Sequence, residues 1–125
     1  MKFLLDTNIF LWFLNGEKKL LKKHKEIIEN AENEIFLSIA SIWEIAIKDS
    51  LGKVELKYDF NLIFPKVLLN NDIRILDIEI SHLKKLRVLP FYHKDPFDRI
   101  IISQATAEKI ELLYTDEAFL EYFKI

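Results

Sequence analysis

Cysteine is absent from the 125-residue chain, and glycine and proline are scarce, with two and three copies. Without thiols, disulfides and thiolate metal sites are excluded, in keeping with a reducing compartment. So few glycines and prolines leave little room for linkers or low-complexity tracts. No window approaches the roughly 20 apolar residues that a membrane span needs. The opening run Phe3-Leu4-Leu5 is broken by Asp6 before it could serve as a signal peptide. A large excess of one charge is missing too: the net charge is −2 with three neutral histidines, which argues mildly against a nucleic-acid binder. Hydrophobic residues at 50% and charged ones at 30% rule out a disordered chain. The expectation is one cytoplasmic domain spanning residues 1–125, long enough to bury a core.

Local charge is less even than the total. Lys18, Lys19, Lys22, Lys23 and Lys25 crowd one segment, and Lys84, Lys85 and Arg87 another. Both read as solvated helix faces. Periodicity predicts a buried strand over Lys2 to Asp6, a helix over Thr7 to Leu14, and a stop at Asn15-Gly16. A helix is expected over Glu17 to Ala31, with Leu20, Leu21, Ile27 and Ile28 on its apolar stripe. A strand over Glu34 to Leu37 and a helix from Ser38 to Leu51, ended by Gly52, come next. Phe60, Phe64, Val67 and Leu68 are spaced like a helical face, in which Pro65 marks either a kink or a start. Further expectations are a strand over Ile73 to Ile78, a short helix over Ile80 to Leu86, a loop over Pro90 to Lys94 and a helix over Asp95 to Lys109. A last strand over Leu112 to Thr115 and a short helix over Glu117 to Phe123 complete the chain. Strands separated by helices, with no hairpin signal, predict an α/β fold whose small parallel sheet is covered by helices on both faces. In such sheets function gathers at the carboxyl ends of the strands, where Asp6 and Asp116 fall.

Four carboxylates stand out, each beside a plainer reading. Asp6 suits the N-cap of the following helix. Glu44 lies in "SIASIWEIAIK", a helix apolar almost all round, where a buried charge costs several kcal/mol unless compensated. Lys48 at i+4 could pair with it, yet a surface-type pair contributes only ~0.5 kcal/mol. In "KDPFDR", Asp95 is a good cap, Pro96 suits the first helical position and Asp98 could complete a capping box. Asp116, in "LLYTDEAF", could cap the last helix with Thr115. Together, the four would repel and take up protons unless a hard divalent ion joined them. Mg²⁺ or Mn²⁺ suits oxygen ligands, polarises phosphoryl groups and activates water near neutral pH. The implied chemistry is phosphodiester hydrolysis. No Ser-His-Asp order, glycine-rich phosphate loop or histidine pair competes, and His24, His82 and His93 are scattered.

With "LLDTNIFLW", "SIASIWEIAIKDSLGKVEL", "HKDPFDRIIISQA" and "TDEAF" in that order, the chain resembles the PIN-domain family, and within it the VapC toxins of type II toxin–antitoxin pairs. The resemblance runs from end to end. It implies a three-layer α/β/α PIN domain and an Mg²⁺- or Mn²⁺-dependent endoribonuclease. Carried over to this chain, the catalytic residues are Asp6, Glu44, Asp98 and Asp116, with Asp6, Asp98 and Asp116 on the metal. Asn8, Thr115, Asp95, Arg99 and Lys48 support the site or the substrate, and Lys48, Lys94 and Arg99 are read as holding the RNA backbone. One departure is Tyr114, at a position where relatives carry threonine or serine. Such toxins usually pair with a VapB-like antitoxin and commonly dimerise. Rival readings are a receiver-type signalling module, which would want paired acids after the first strand, and a degenerate PIN domain that only binds a partner.

Overall fold

The computed structural model describes residues 1–123. Four short strands, β1 (Lys2–Leu5), β2 (Glu34–Ser38), β3 (Ile73–Leu76) and β4 (Glu111–Leu113), form one parallel sheet in the order β3-β2-β1-β4. Alternation along the strands explains why both faces must be covered. Phe3, Leu5, Ile35, Leu37, Ile73 and Leu113 enter one core, whereas Leu4 and Leu112 enter the other, with Phe36 and Leu76 packed against it. Leu4 and Leu5, both fully buried, each contribute about 2 kcal/mol through the area removed from water. The first face is closed by α1 (Thr7–Asn15), α2 (Lys22–Glu29) and the segment 60–70. The second is closed by α6 (Ile80–Arg87) and α7 (Pro96–Glu108). The architecture is three-layer α/β/α, as the pattern of elements predicts.

Differences at the boundaries have physical causes. β3 stops at Leu76 rather than Ile78, because its partner β2 ends at Ser38, the residue paired with Leu76. The expected helix over Glu17 to Ala31 shrinks to Lys22–Glu29. Gly16, in the left-handed region at φ 64°, closes α1 by donating to Phe13 O, and Glu17 N returns to Trp12 O. Lys18 and Lys19 then lie in the turn that leads from α1 to α2. Leu21, assigned to the buried stripe, is 52% exposed at the head of α2. Between Phe60 and Asn70 the chain forms α4 (Phe60–Leu62), a wide turn over Ile63–Val67, and α5 (Leu68–Asn70). Phe64 leaves the helical region (φ −114°, ψ 101°), as the residue before a proline is pressed to do, so the helix breaks and restarts there. Its apolar face survives the break, with Phe64 beside Phe60 and Phe10 at ring centroid distances of 4.7 and 6.0 Å.

α3 (Ile39–Ser50) corrects a premise. It is not buried on all sides: Trp43 is 59% exposed, and Ile47 and Leu51 also face outward. The helix packs on the sheet and α7 along one face, and Trp43 rests edge-on against Phe97 at 4.9 Å. Glu44 is nevertheless on the buried face. The final segment is a 3₁₀ turn over Glu117–Phe119 followed by α8 (Leu120–Phe123). No helix among the described residues is long and apolar enough to cross a membrane.

Candidate active site

The carboxyl ends of β1 and β4 open onto a pocket of about 170 Å³ lined by Asp6, Thr7, Asn8, Glu44, Lys48, Asp95, Asp98, Asp116 and Phe119. Asp6 both caps and lines it. Its Oδ1 accepts from Ile9 N–H at 2.7 Å as the N-cap of α1, and its Oδ2 accepts from Thr115 N–H at 3.1 Å. Thr115 thereby ties the end of β4 to Asp6, and its side chain also favours the charged form of Asp6. Burial pushes the Asp6 carboxyl up to about 6, against the two backbone donors that favour its charge, and Asp116 adds repulsion.

Glu44 reaches the same pocket from α3. Lys48 Nζ lies 3.0 Å from its Oε2, one helical turn on, as the sequence spacing allows. Thr7 Oγ1 lies 3.0 Å from Glu44 Oε1 and 3.0 Å from Ser41 Oγ. A carboxylate only accepts, so Thr7 donates to Glu44 and accepts from Ser41.

At the start of α7, Asp95 is the cap, its Oδ1 accepting from Phe97 N–H at 2.8 Å and Asp98 N–H at 3.2 Å. Asp98 does not close a capping box. The Asp95 N–H goes instead to His93 Nδ1 at 3.1 Å, which leaves the proton on Nε2. That Nε2 sits 3.0 Å from Asp98 Oδ2 and 3.2 Å from Asp116 Oδ2, bridging two acids from different elements. Burial, then repulsion from Asp95, raises the Asp98 carboxyl to about 7; Glu44 and Asp6 add to the rise and His93 opposes it. Asp116 is half exposed and caps the 3₁₀ turn through Ala118 N–H at 2.9 Å.

Arg99 takes a different place from the one assigned to it as a grip on RNA. It is buried, and its guanidinium donates to Pro90 O at 2.9 Å, His93 O at 3.3 Å and Leu89 O at 3.1 Å, under the Phe91 ring at 3.8 Å. It fastens the loop that carries His93. Lys94 is exposed on that loop and is not among the pocket's lining residues. The sequence reading missed His93, Thr7 and Ser41. His93 stands two residues before a helix cap, and only that spacing in "HKDPFD" could have drawn notice.

The donors are chemically consistent with a hard cation: oxygen atoms from Asp6, Asp98 and Asp116 dominate, and two of these carboxyls are held near neutrality by burial. His93, Asp98 and Asp116 also bring one ligand atom each within 4.8 Å of one another.

In a comparison with solved structures, the chain is similar to one in the crystal structure of VapBC2 from Rickettsia felis bound to a DNA fragment from their promoter. The TM-score is 0.71 at 18% identity, over 98% of this chain and 93% of that one, a likeness of fold. A search of curated proteins gave no significant sequence match. The sequence model of the PIN domain covers residues 3–124, nearly the whole chain, and by that match the chain belongs to the PIN-domain family.

Proposed function

We propose that this PIN domain, occupying residues 1–125, is a metal-dependent endoribonuclease of the VapC-like toxin type, acting in the cytoplasm and neutralised by a VapB-like antitoxin. One observation carries the reading: Asp6 and Asp98, from distant parts of the chain, share a pocket in which burial first, and then repulsion from neighbouring acids (Asp116 on Asp6; Asp95, Glu44 and Asp6 on Asp98), raises the carboxyls to about 6 and about 7. A cation relieves that repulsion, and the donor set is the kind Mg²⁺ or Mn²⁺ prefers. Asp6, Asp98 and Asp116 would hold the ion, which when bound supplies charge neutralisation and polarises a phosphoryl group.

The chain's own residues do the rest. Two backbone N–H groups fix Asp6 so that it meets its ligand without reorientation. Glu44, anchored by Thr7 and Lys48, accepts the proton of the attacking water. His93 Nε2–H aligns Asp98 with Asp116. Lys48, whose side chain is 45% exposed, and Asn8 at the pocket mouth are the groups available to an incoming phosphate. The exposed Trp43 and Ile47 on α3, with Leu51 at its C-cap, support association with a protein surface, either a second copy in a homodimer or the antitoxin.

Purified protein is expected to cut RNA with Mg²⁺ or Mn²⁺ and to stop when EDTA is added. Asp6→Asn and Asp98→Asn are each expected to abolish cleavage. Undiminished cutting by either variant would refute the assigned roles.

A further inference from the structure

The lysine-rich segment that reads from sequence as a solvated helix face borders a groove of about 550 Å³. The groove runs between α2 and β4, the last strand of the sheet among the described residues. Its walls carry Trp12, Lys19, Lys23, His24, Tyr114 and Thr115.

Three features distinguish it from an ordinary surface depression. Neither lysine pairs with a carboxylate among the described residues, and Lys19 Nζ lies 5.9 Å from the centre of the partly exposed Trp12 ring. His24 is about nine-tenths buried, and its Nδ1, also buried, has no hydrogen-bond partner. Thr115, which lines the groove at the carboxyl end of β4, donates its N–H to Asp6 Oδ2 at 3.1 Å, so the groove and the acidic pocket meet at the same strand end. The one acid lining the groove, Glu111, starts β4 at the opposite end.

Unpaired cations and aromatic faces are what a single-stranded nucleic acid needs: charge for phosphates and rings for bases. A peptide added alongside β4 would use the strand backbone, and would leave the two unpaired lysines and the rings without a purpose. We propose that this groove seats the single-stranded RNA on its way to the acidic pocket, with Lys19 and Lys23 on phosphates and Trp12 stacked on a base. The proposal rests on the ribonuclease reading for the identity of the strand.

Binding can be read without cleavage. The full chain carrying Asp98→Asn is titrated in EDTA with a fluorescein-labelled single-stranded RNA of about 12 nucleotides, a length within the usual site sizes. Adding Lys19→Ala and Lys23→Ala is expected to weaken binding about tenfold at low salt. It should also lower the slope of log affinity against log salt by about 1.4, two single-strand phosphate contacts. Trp12→Leu should weaken binding at an unchanged slope. Lys84→Ala with Lys85→Ala, on α6, removes equal charge and should leave the slope alone. An unchanged slope in the Lys19/Lys23 variant, or an equal fall in the Lys84/Lys85 variant, overturns the proposal. So does unaltered RNA binding together with lost capture of a labelled oligoglutamate peptide, which would assign the groove to a protein. Cleavage, measured separately without Asp98→Asn, tells the two readings apart. An active enzyme whose KM ignores the two lysines sinks the groove alone. Groove-dependent binding by a chain that never cuts RNA supports the groove and sinks the ribonuclease.

Discussion

Asp6 and Asp98 carry similar pKa rises on different supports, and substitution should separate them. Both folded values, about 6 and about 7, lie above the ordinary aspartate value of 3.8. Between those limits the folded chain binds more protons than the unfolded one, so stability falls as pH rises. The stabilising share of these groups is complete below pH 3.8 and lost as pH passes through about 6 to 7. Asp98→Asn removes its share of that loss and keeps an oxygen to accept from His93. In metal-free buffer at pH 8 it should stabilise the chain by about 1 kcal/mol, discounted for partial exposure, or a few degrees in Tm. Asp6→Asn should gain less, because one amide face cannot accept from Ile9 N–H or Thr115 N–H. Thermal melts from pH 4 to 8 check both; equal gains, or a Tm that rises with pH, would contradict the assignment. The four acids were legible because each stands at a strand end or helix start, or in an apolar segment where charge is out of place. His93 was not, since its role depends on a loop fold that brings it to Asp98 and Asp116 from outside any periodic pattern.

Among the elements, the loop ahead of α7 is the one most dependent on a single side chain. Arg99, one turn into that helix, gathers carbonyls from Leu89, Pro90 and His93, and Tyr122 Oη donates to Pro90 O while accepting from His93 N–H at 2.8 Å. Arg99→Ala should cost about 2 kcal/mol by removing a buried guanidinium and leaving these part-buried carbonyls without their donor. It should also speed amide exchange at His93. Arg99→Lys should recover little, since an ammonium cannot fork across three carbonyls. Full rescue by lysine would show that charge alone matters. Asp95→Ala should remove about 1 kcal/mol as a lost N-cap. Sequence spacing reveals that cap, because Asp-Pro announces a helix start. It cannot reveal the destination of Arg99, which on α7 could face solvent or core. The exposure of Trp43 and Ile47 was equally illegible: apolar pattern specifies that a face seeks a partner, without saying that the partner lies within the same chain.

At the scale of the molecule, parallel topology follows from strand alternation and the spacing of helices, and the chain's assignment to the PIN-domain family agrees with it. What folding adds is convergence. β1, α3, α7 and the turn after β4 each deliver one carboxylate, and no single element holds two of the four. Added Mn²⁺ should therefore raise Tm at pH 8, where repulsion is fullest, and do little at pH 4, where Asp6 and Asp98 are largely protonated. A shift of the same size at both pH values would point to a site elsewhere.

The proposed function makes the assembled pocket a liability to the fold that a divalent cation would relieve, and calorimetric titration of Mn²⁺ or Mg²⁺ into the metal-free chain near pH 7.5 probes this directly. The account predicts saturable uptake by the parent and its loss in Asp98→Asn. No heat from the parent, or an identical isotherm from the variant, would contradict it.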